Sequence, residues 1–499
     1  MTTVIYWFRN DLRLLDNPAL TQACNAAPQL LPVYVHDPES AGDAMTRWGF
    51  ARTGPHRCHF LAAGLADLAA QHGARGSSLL ELHGRAQDVL PALARSIDAR
   101  QVVCEAIAAP EEEAVVAALR AAGLVVDTVW QSSMLEPALL PFEPRRLPGV
   151  FTAFRQAVER AKCEPRAPLP LPQALPHVLW KPAVQGLPPG SLHSGSLSGR
   201  QRSFQSGLPT CPQSHNGSVL PSLVPDPRSS FPYAAAAFAG GETGALTHLA
   251  RYFDSQRVLT YKATRNGLSG TDFSSKFSPW LASGALSART VYAALRQFEA
   301  QHGANDGTYW LWFELLWRDY FRLLHLQHGR KLYGARGLVP QHQPLPETTH
   351  KAGAFKRWCQ GETDEPLVDA GMRELAATGY LSNRLRQVVA SYLIHDLACD
   401  WRAGAAWFES QLIDYDVFSN QGNWLYIAGR GTDPRGGRRF NPQKQARDYD
   451  ADGNYRKLWN CALQNHRKNP PSVWTLPRQT QTQTQTQTRP ARQPGRPAP

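Results

Sequence analysis

The side chains best suited to chemistry are gathered in residues 401–424, WRAGAAWFESQLIDYDVFSNQGNW, which open and close on Trp401 and Trp424 and hold Asp414, Asp416 and Asn420 between them. A buried indole needs a partner for its N–H, and carboxylates are seldom buried unless paired or hydrogen-bonded. An isoalloxazine suits this set. It offers a flat face to stack, ring N–H and C=O groups to bond, and redox chemistry that Trp or Tyr can feed with electrons. A helix with core tryptophans and two solvated aspartates is the plain alternative, and the segment alone does not separate the two.

Three further stretches carry chemistry-bearing residues. Tyr261 to Trp280, YKATRNGLSGTDFSSKFSPW, places Ser274, Ser275, Lys276, Phe277 and Ser278 just before a helix. Hydroxyls, backbone N–H groups and a lysine at such a turn suit a pyrophosphate, whereas Ser capping is the bland reading. In WLWFELLWRDYFR (310–322), Glu314, Trp317 and Arg318 share one helical face. A Glu beside an indole can be desolvated and held protonated as a hydrogen-bond donor, but an i, i+4 salt bridge to Arg318 explains the same spacing. The run GRGTDPRGGRRFNPQKQAR (429–447) sets Arg430, Arg435, Arg438, Arg439, Lys444 and Arg447 against the single acid Asp433. That pattern fits a phosphate-tracking surface for a single strand and, equally, a solvated loop.

These stretches need two kinds of scaffold. Over the first 130 residues short apolar runs alternate with helical patterns, as in a parallel sheet with crossover helices. VIYWF (4–8), LLPVYV (30–35), SLLEL (78–82), QVVCEAI (101–107) and LVVDTVW (124–130) read as strands, and 56–71, 86–97 and 111–122 as helices. The fold class is therefore α/β plus all-α: a Rossmann-like doubly wound domain (1–133), a Pro/Gly/Ser-rich linker (134–233), an all-helical domain (234–470) and a low-complexity tail (471–499). No GxGxxG follows the first strand, which argues against a standard dinucleotide pyrophosphate site there. Instead comes Arg9-Asn10-Asp11-Leu12-Arg13-Leu14-Leu15-Asp16-Asn17-Pro18, read as an ion-pair network plus a helix cap. Within the linker, FEPRRLPGVFTAFRQAVERA keeps one helix, and 164–232 reads as partly disordered. SNRLRQVVASYLIHDLACDW (382–401) carries a helical pattern.

Composition excludes several classes. With 42% hydrophobic and 19% charged residues the chain has an ordinary globular balance, and no apolar run approaches a membrane span. Eight scattered cysteines without CxxC or His/Cys clusters predict a reducing, cytoplasmic setting and no metal. The net charge of +12 is weak support for nucleic-acid binding. Two thirds of that excess lies in 162–232 and in the arginines from Arg478 onward, outside both predicted domains.

Taken together and in order, these stretches resemble the cryptochrome/photolyase family and, more narrowly, its DASH-type cryptochromes. WFRNDLRLLDNPAL resembles the family's first strand and turn; YKATRNGLSGTDFSSKFSPWLASGALS, FELLWRDYFR, MRELAATGYLSNRLRQ and DYDVFSNQGNWLYIAGRGTDP resemble its flavin and DNA elements. The resemblance implies an FAD in the helical domain. Tyr261, Ser274, Ser275, Lys276, Phe277, Ser278 and Arg318 would hold its phosphates and ribityl chain. Arg386 would pair with Asp414, Tyr415 and Asp416 would meet the ring edge, and Asn420 would face flavin N5. It also implies a pocket for a pyrimidine dimer lined by Glu314, Trp317, Asn383 and Gln387, with Arg384, Tyr426, Arg438 and Arg439 toward DNA. Gln387 and Tyr426 are DASH-type choices, more polar than the Met and Trp of conventional photolyases, and a polar pocket favours single strands, where extraction of a lesion costs little.

The implied activity is light-driven repair of cyclobutane pyrimidine dimers in single-stranded DNA by a monomeric enzyme. A blue-light sensory flavoprotein without repair activity is the alternative. Photoreduction would draw on Trp424 and Trp401, but Thr348 stands where a distal tryptophan is expected, so the chain would end elsewhere, for instance at Trp407. A methenyltetrahydrofolate antenna is a family expectation, yet the Glu that would contact it falls near Ile107, with Glu105 and Glu111 out of register.

Overall fold

The structure is a computed structural model that describes residues 3–39, 44–176, 225–344, 350–433 and 436–460. The low-complexity tail, the middle of the linker, Thr348 and Arg435 lie outside the described residues.

Five parallel strands, β1 (Thr3–Phe8), β2 (Gln29–His36), β3 (Leu80–His83), β4 (Gln101–Glu105) and β5 (Val125–Val129), form one sheet in the order β3-β2-β1-β4-β5. Helices α1 (Pro18–Ala26), α2 (Pro55–Gly73), α3 (Ala86–Ser96) and α4 (Pro110–Ala121) make the crossovers. β1 is buried throughout because it is central and covered on both faces. Its Ile5 and Trp7 enter one apolar cluster with α3 and α4, while Val4, Tyr6 and Phe8 enter another with α1. This is the period-two alternation of a strand expressed as two cores. All five predicted strands and three predicted helices are present, with ends shifted by a few residues.

The charged turn after β1 is an ion-pair network and a cap, and its partners come from the other domain. Asn17 caps α1 by accepting from the N–H of Leu20 (3.0 Å). Asp16 receives Arg289 at 3.0 Å with both side chains almost wholly buried, and it also accepts from Ser287. Arg13 donates to the carbonyl of Gly284 (2.9 Å), and Glu242 accepts from the N–H groups of Leu14 and Leu15 (2.9 and 2.8 Å). Gly284 sits at φ +69° where a Cβ would collide with the Asn10 carbonyl, so the two backbones meet there only because it is glycine.

After β5 the chain carries α5 (Phe151–Arg160), as expected, and both described ends of the linker are anchored. The Asp16 N–H donates to the Leu169 carbonyl and the Asp16 carboxylate accepts from the Leu169 N–H (3.1 Å each), Arg75 donates to the Pro172 carbonyl (2.9 Å), and Leu175 is buried. At the far end, Phe231 is fully buried and Ser230 donates to the buried Glu374 (3.1 Å). Composition hid these anchors because a few apolar and bonding residues suffice to pin a proline-rich strand.

The second domain is helical: α6 (Glu242–Asp254), α7 (Tyr261–Thr264), α8 (Ser278–Ser283), α9 (Ala288–His302), α10 (Asp306–His328), α11 (Ala352–Gln360), α12 (Pro366–Thr378), α13 (Asn383–Ser391), α14 (Trp401–Gln411), α15 (Val417–Ile427), α16 (Pro442–Tyr449) and α17 (Asn454–Asn460). The helical pattern over 382–401 is present but interrupted. α13 gives way to a π turn at Tyr392–Asp396, and Ala398 takes φ +56°, which ends the run before α14. α10 enters its path through a capping box between Asn305 and Thr308 and runs through the centre of the domain. No described helix is long and apolar enough to cross a membrane.

Candidate functional site

Helices α13 and α15, the end of α14 and the loop between α14 and α15 line a partly open cleft. Asp414, Asp416, Asn420, Trp424, Asn383, Gln387, Arg386 and Tyr415, eight of the positions singled out in the sequence, stand on its wall.

Each wall residue is fixed by a local cause. Asp416 is the N-cap of α15, accepting from the N–H groups of Phe418 (2.9 Å) and Ser419 (3.0 Å), and its other oxygen pairs with Arg322. Burial pushes this carboxyl up, but Arg322 and Arg318 outweigh it and hold the group below its ordinary value, so it stays ionised. Asp414, its side chain almost wholly enclosed, pairs with Arg386 at 2.8 Å through one oxygen; the other, Oδ1, is buried without a partner. Asn420 spends its amide N–H on the Ala405 carbonyl (3.0 Å), which leaves its oxygen as the acceptor on the cavity side. Trp424 rests on Gly404 of α14, where a Cβ would overlap its ring. Tyr415 reaches the wall with its ring covered by Arg57 from α2, 4.6 Å away.

The Ser274–Ser278 loop stands beside this wall. Ser274 and Lys276 both adopt left-handed backbone (φ +55° and +58°), a strained choice for residues with a Cβ. Lys276 is buried with its Nζ over the Phe273 ring (3.3 Å to the centre) and without a hydrogen-bond partner, and burial, only partly opposed by Glu374, pushes it down to about 7. Its Nζ and the Arg386 guanidinium lie 5.1 and 5.5 Å from the ring centre of Tyr380, which joins the loop to the Asp414–Arg386 pair. The remaining loop residues are spent differently. Phe277 packs into the core against Tyr252 and His248, the Ser275 carbonyl accepts from His248 (2.9 Å), and Ser278 opens α8. Tyr261 is buried in the same core.

Glu314 does not pair with Arg318, as its spacing allowed, but with Arg265 at the end of α7. Arg318 donates to the carbonyls of Leu281 (3.0 Å) and Ser132. Burial pushes the Glu314 carboxyl up and Arg265 only partly opposes this. Trp317 stacks on Phe151 of α5 (3.7 Å) and meets Tyr426 edge-on (5.8 Å). Arg384 reaches back to Asn266, next to Arg265, at 2.9 Å. The arginine-rich loop is less free than expected: its lone acid Asp433 takes Arg438 (2.8 Å), which also donates to the Tyr426 hydroxyl (2.6 Å). Arg439 pairs with Asp396 (2.8 Å) and stays mostly exposed. Trp401 is buried at the start of α14, donating to the Ala335 carbonyl (3.2 Å).

Sequence reasoning missed Arg322, Arg265, Phe151 and Tyr380. The first could be sought one turn beyond Arg318; the other three come from distant segments and leave no local signal.

The residues present fit a flavin. A buried lysine with no hydrogen-bond partner suits a pyrophosphate, the unpartnered Asp414 oxygen suits a ring or ribityl donor, and Trp424 gives the cleft an aromatic wall. They do not fit a folate in the narrow space where Asn10, Glu105, Ile107, Arg318 and Arg322 meet between the domains, to which the Ile107 side chain offers no polar atom.

Residues 310–493 match the FAD binding domain of DNA photolyase and residues 4–173 match DNA photolyase. Cryptochrome DASH of Gloeobacter violaceus is 43% identical over 462 residues, covering 92% of this chain and 85% of its own. Cryptochrome DASH of Xenopus laevis is 41% identical, covering 92% and 83%. The crystal structure of a Synechocystis cryptochrome superposes with a TM-score of 0.80 at 38% identity, over 95% of this chain and 91% of the other. With its parallel sheet, its helical FAD-binding domain and these relatives, the chain belongs to the cryptochrome/photolyase family, among the DASH cryptochromes, and is a light-dependent flavoprotein.

Proposed function

We propose that this protein repairs cyclobutane pyrimidine dimers in single-stranded DNA. The observation that carries the reading is Glu314: a carboxyl raised by burial, paired with a single arginine, one helical turn from the stacked Trp317. Bound reduced FAD supplies light-driven electron donation to the dimer, with return of the electron once the ring has split.

The chain's own residues do the rest. Lys276 and the Ser274–Ser278 loop hold the pyrophosphate, and Arg386–Asp414 and Asp416 hold the polar edge of the ring. Asn420 presents a neutral acceptor to N5. Glu314 donates a hydrogen bond to a dimer carbonyl and so stabilises charge as it develops. Arg265, Arg384 and Arg439 attract the flanking phosphates. The polar Gln387 and Tyr426 disfavour extraction from a duplex, where unstacking costs a few kcal/mol.

Illuminating the reduced protein with dimer-containing single-stranded and duplex oligonucleotides, and following recovery of thymine absorbance, tests the reading. Repair of the single strand alone is the expected result. Repair of both overturns the polar-pocket argument. Repair of neither, with FAD bound, leaves a light sensor.

A further inference from the structure

Among the charged groups around Lys276, Glu374 of α12 does most to keep it protonated. Asp272 and Asp414 add to that pull, and Arg386 of α13 opposes it. His248 of α6 also faces the lysine, but burial pushes that imidazole down to about 4, so it carries no charge near neutral pH. Glu374 is wholly buried, and a carboxylate in the interior is costly unless its charge has a use.

Both oxygens of Glu374 are already engaged. One accepts from Ser230 at the far end of the linker (3.1 Å), the other from the hydroxyl of Tyr455 on α17. The carboxylate therefore acts on Lys276 as a charge across a gap and takes none of its three N–H groups, which stay available to phosphate oxygens. The ring of Phe273 favours a cation at Nζ in the same way, without the hydrogen bond a carboxylate would demand. A neutral amide could serve the two hydroxyls; what glutamate adds is charge, and the lysine that this charge supports is Lys276.

The partners of Glu374 are fastened to one another. Tyr455 and Trp459 of α17 are buried. Arg228, two residues before Ser230, lies 4.3 Å from the Trp459 ring centre and donates to the Leu458 carbonyl (2.7 Å). Asn460 accepts from Arg373 (2.6 Å) and donates to the Pro366 carbonyl (3.0 Å), which ties α17 to α12. Burial pushes Glu374 up to about 7, and the hydroxyls of Tyr455 and Ser230 and the charge of Lys276 pull against it. Arg386 and Tyr380 complete its charged and titratable surroundings.

We propose that Glu374 is a positioning residue for the flavin: it keeps Lys276 charged for the pyrophosphate, and through Tyr455 and Ser230 it makes that hold depend on α17 and the end of the linker being seated. The inference rests on the reading of Lys276 as the phosphate residue. When the Tyr455 hydroxyl is withdrawn, burial neutralises Glu374, Lys276 loses its counter-charge and gives its proton to water, and the pyrophosphate meets a neutral amine.

The test uses the full chain with FAD bound and follows fluorescence of released flavin on dilution, across neutral and mildly alkaline pH. It compares wild type with Glu374→Gln, Tyr455→Phe, Lys276→Met and the double variant Glu374→Gln with Lys276→Met. Retention in wild type falls above about 7. In Glu374→Gln the fall is expected to begin about one unit lower, with flavin held up to about tenfold less tightly at a given pH above that point. Tyr455→Phe, which keeps the ring, is expected to shift the same way by less. In the Lys276→Met background, Glu374→Gln is expected to add no further loss. An unmoved onset in Glu374→Gln, or a full further loss in the double variant, overturns the proposal, because packing and not charge would then be at work. A shift in Glu374→Gln without one in Tyr455→Phe overturns the dependence on α17 and keeps the charge role. If Lys276→Met holds flavin as wild type does, with the same slope, the reading of Lys276 falls and the proposal with it. Should Glu374→Gln fail to fold, Tyr455→Phe, with its urea midpoint as the folding control, decides the matter alone: a lowered onset supports the proposal and an unmoved one overturns it.

Discussion

Glu314 and Arg265 form an ion pair that ties the central helix α10 to the end of α7, and the same guanidinium lies 4.5 Å from the ring centre of the half-buried Trp310. One arginine thus touches the carboxyl proposed to meet the dimer and an aromatic face turned toward the outside. A strand phosphate that captured Arg265 would leave Glu314 to the upward push of its burial, which favours the protonated, donating form.

Glu314→Ala is therefore expected to lower the yield of single-strand repair by about tenfold to a hundredfold, the worth of one hydrogen bond to a charged group. Glu314→Gln, whose amide still donates, should lose less. Because the protonated acid is the donor, wild-type yield should fall as pH rises through the raised value of Glu314, and Glu314→Gln should not show that fall. Repair yield against pH, with flavin absorbance as the control for occupancy, checks both.

Lys276 gives a second pH dependence. Burial holds it at about 7, against the pull of Glu374 and with Arg386, Asp272 and Asp414 as its other charged neighbours. A pyrophosphate beside it would raise it again, so flavin binding takes up a proton wherever pH lies between the two values. Affinity should then fall as pH rises above about 7, by at most tenfold per unit. Fluorescence of released flavin measures this, and Lys276→Met should bind more weakly with the slope gone. A wild-type affinity flat from pH 7 upward would count against Lys276 as the phosphate residue.

Legibility followed the range over which each feature is encoded. The strands announce themselves because a central parallel strand buries both faces, as VIYWF does. Asp414, Asp416, Asn420 and Trp424 are close in sequence, and their meeting on one wall needs only the loop into α15. The break between α13 and α14 was invisible because its cause is backbone conformation at Tyr392–Asp396 and Ala398, with no proline or glycine to mark it. Arg265, separated from Glu314 by 49 residues, could not be matched to it from spacing, and a local partner at i+4 was the natural but wrong expectation.

The Asp16–Arg289 pair predicts how the two domains hold together. Both side chains are almost wholly buried, so removing one partner strands a charge in the interior. Asp16→Asn should cost about 3–5 kcal/mol in denaturant unfolding, and Asp16→Asn with Arg289→Met should recover part of it. A single variant as stable as wild type would mean that water reaches the pair.

Gly404 supplies the sharpest steric test of the cavity. It is a mid-helix glycine at an ordinary helical backbone, where alanine would normally stabilise by about 0.5–1 kcal/mol. Here a Cβ would overlap the Trp424 ring on one side and Leu393 on the other. Gly404→Ala should therefore destabilise by about 1–3 kcal/mol through overpacking, and it should push Trp424 into the cavity and lower flavin retention. Gly353, on α11 with no atom near its missing Cβ, is the control: Gly353→Ala should stabilise and leave flavin retention unchanged. If both alanines behave alike, Trp424 can move aside without cost, and close packing on Gly404 does not set its position on the wall.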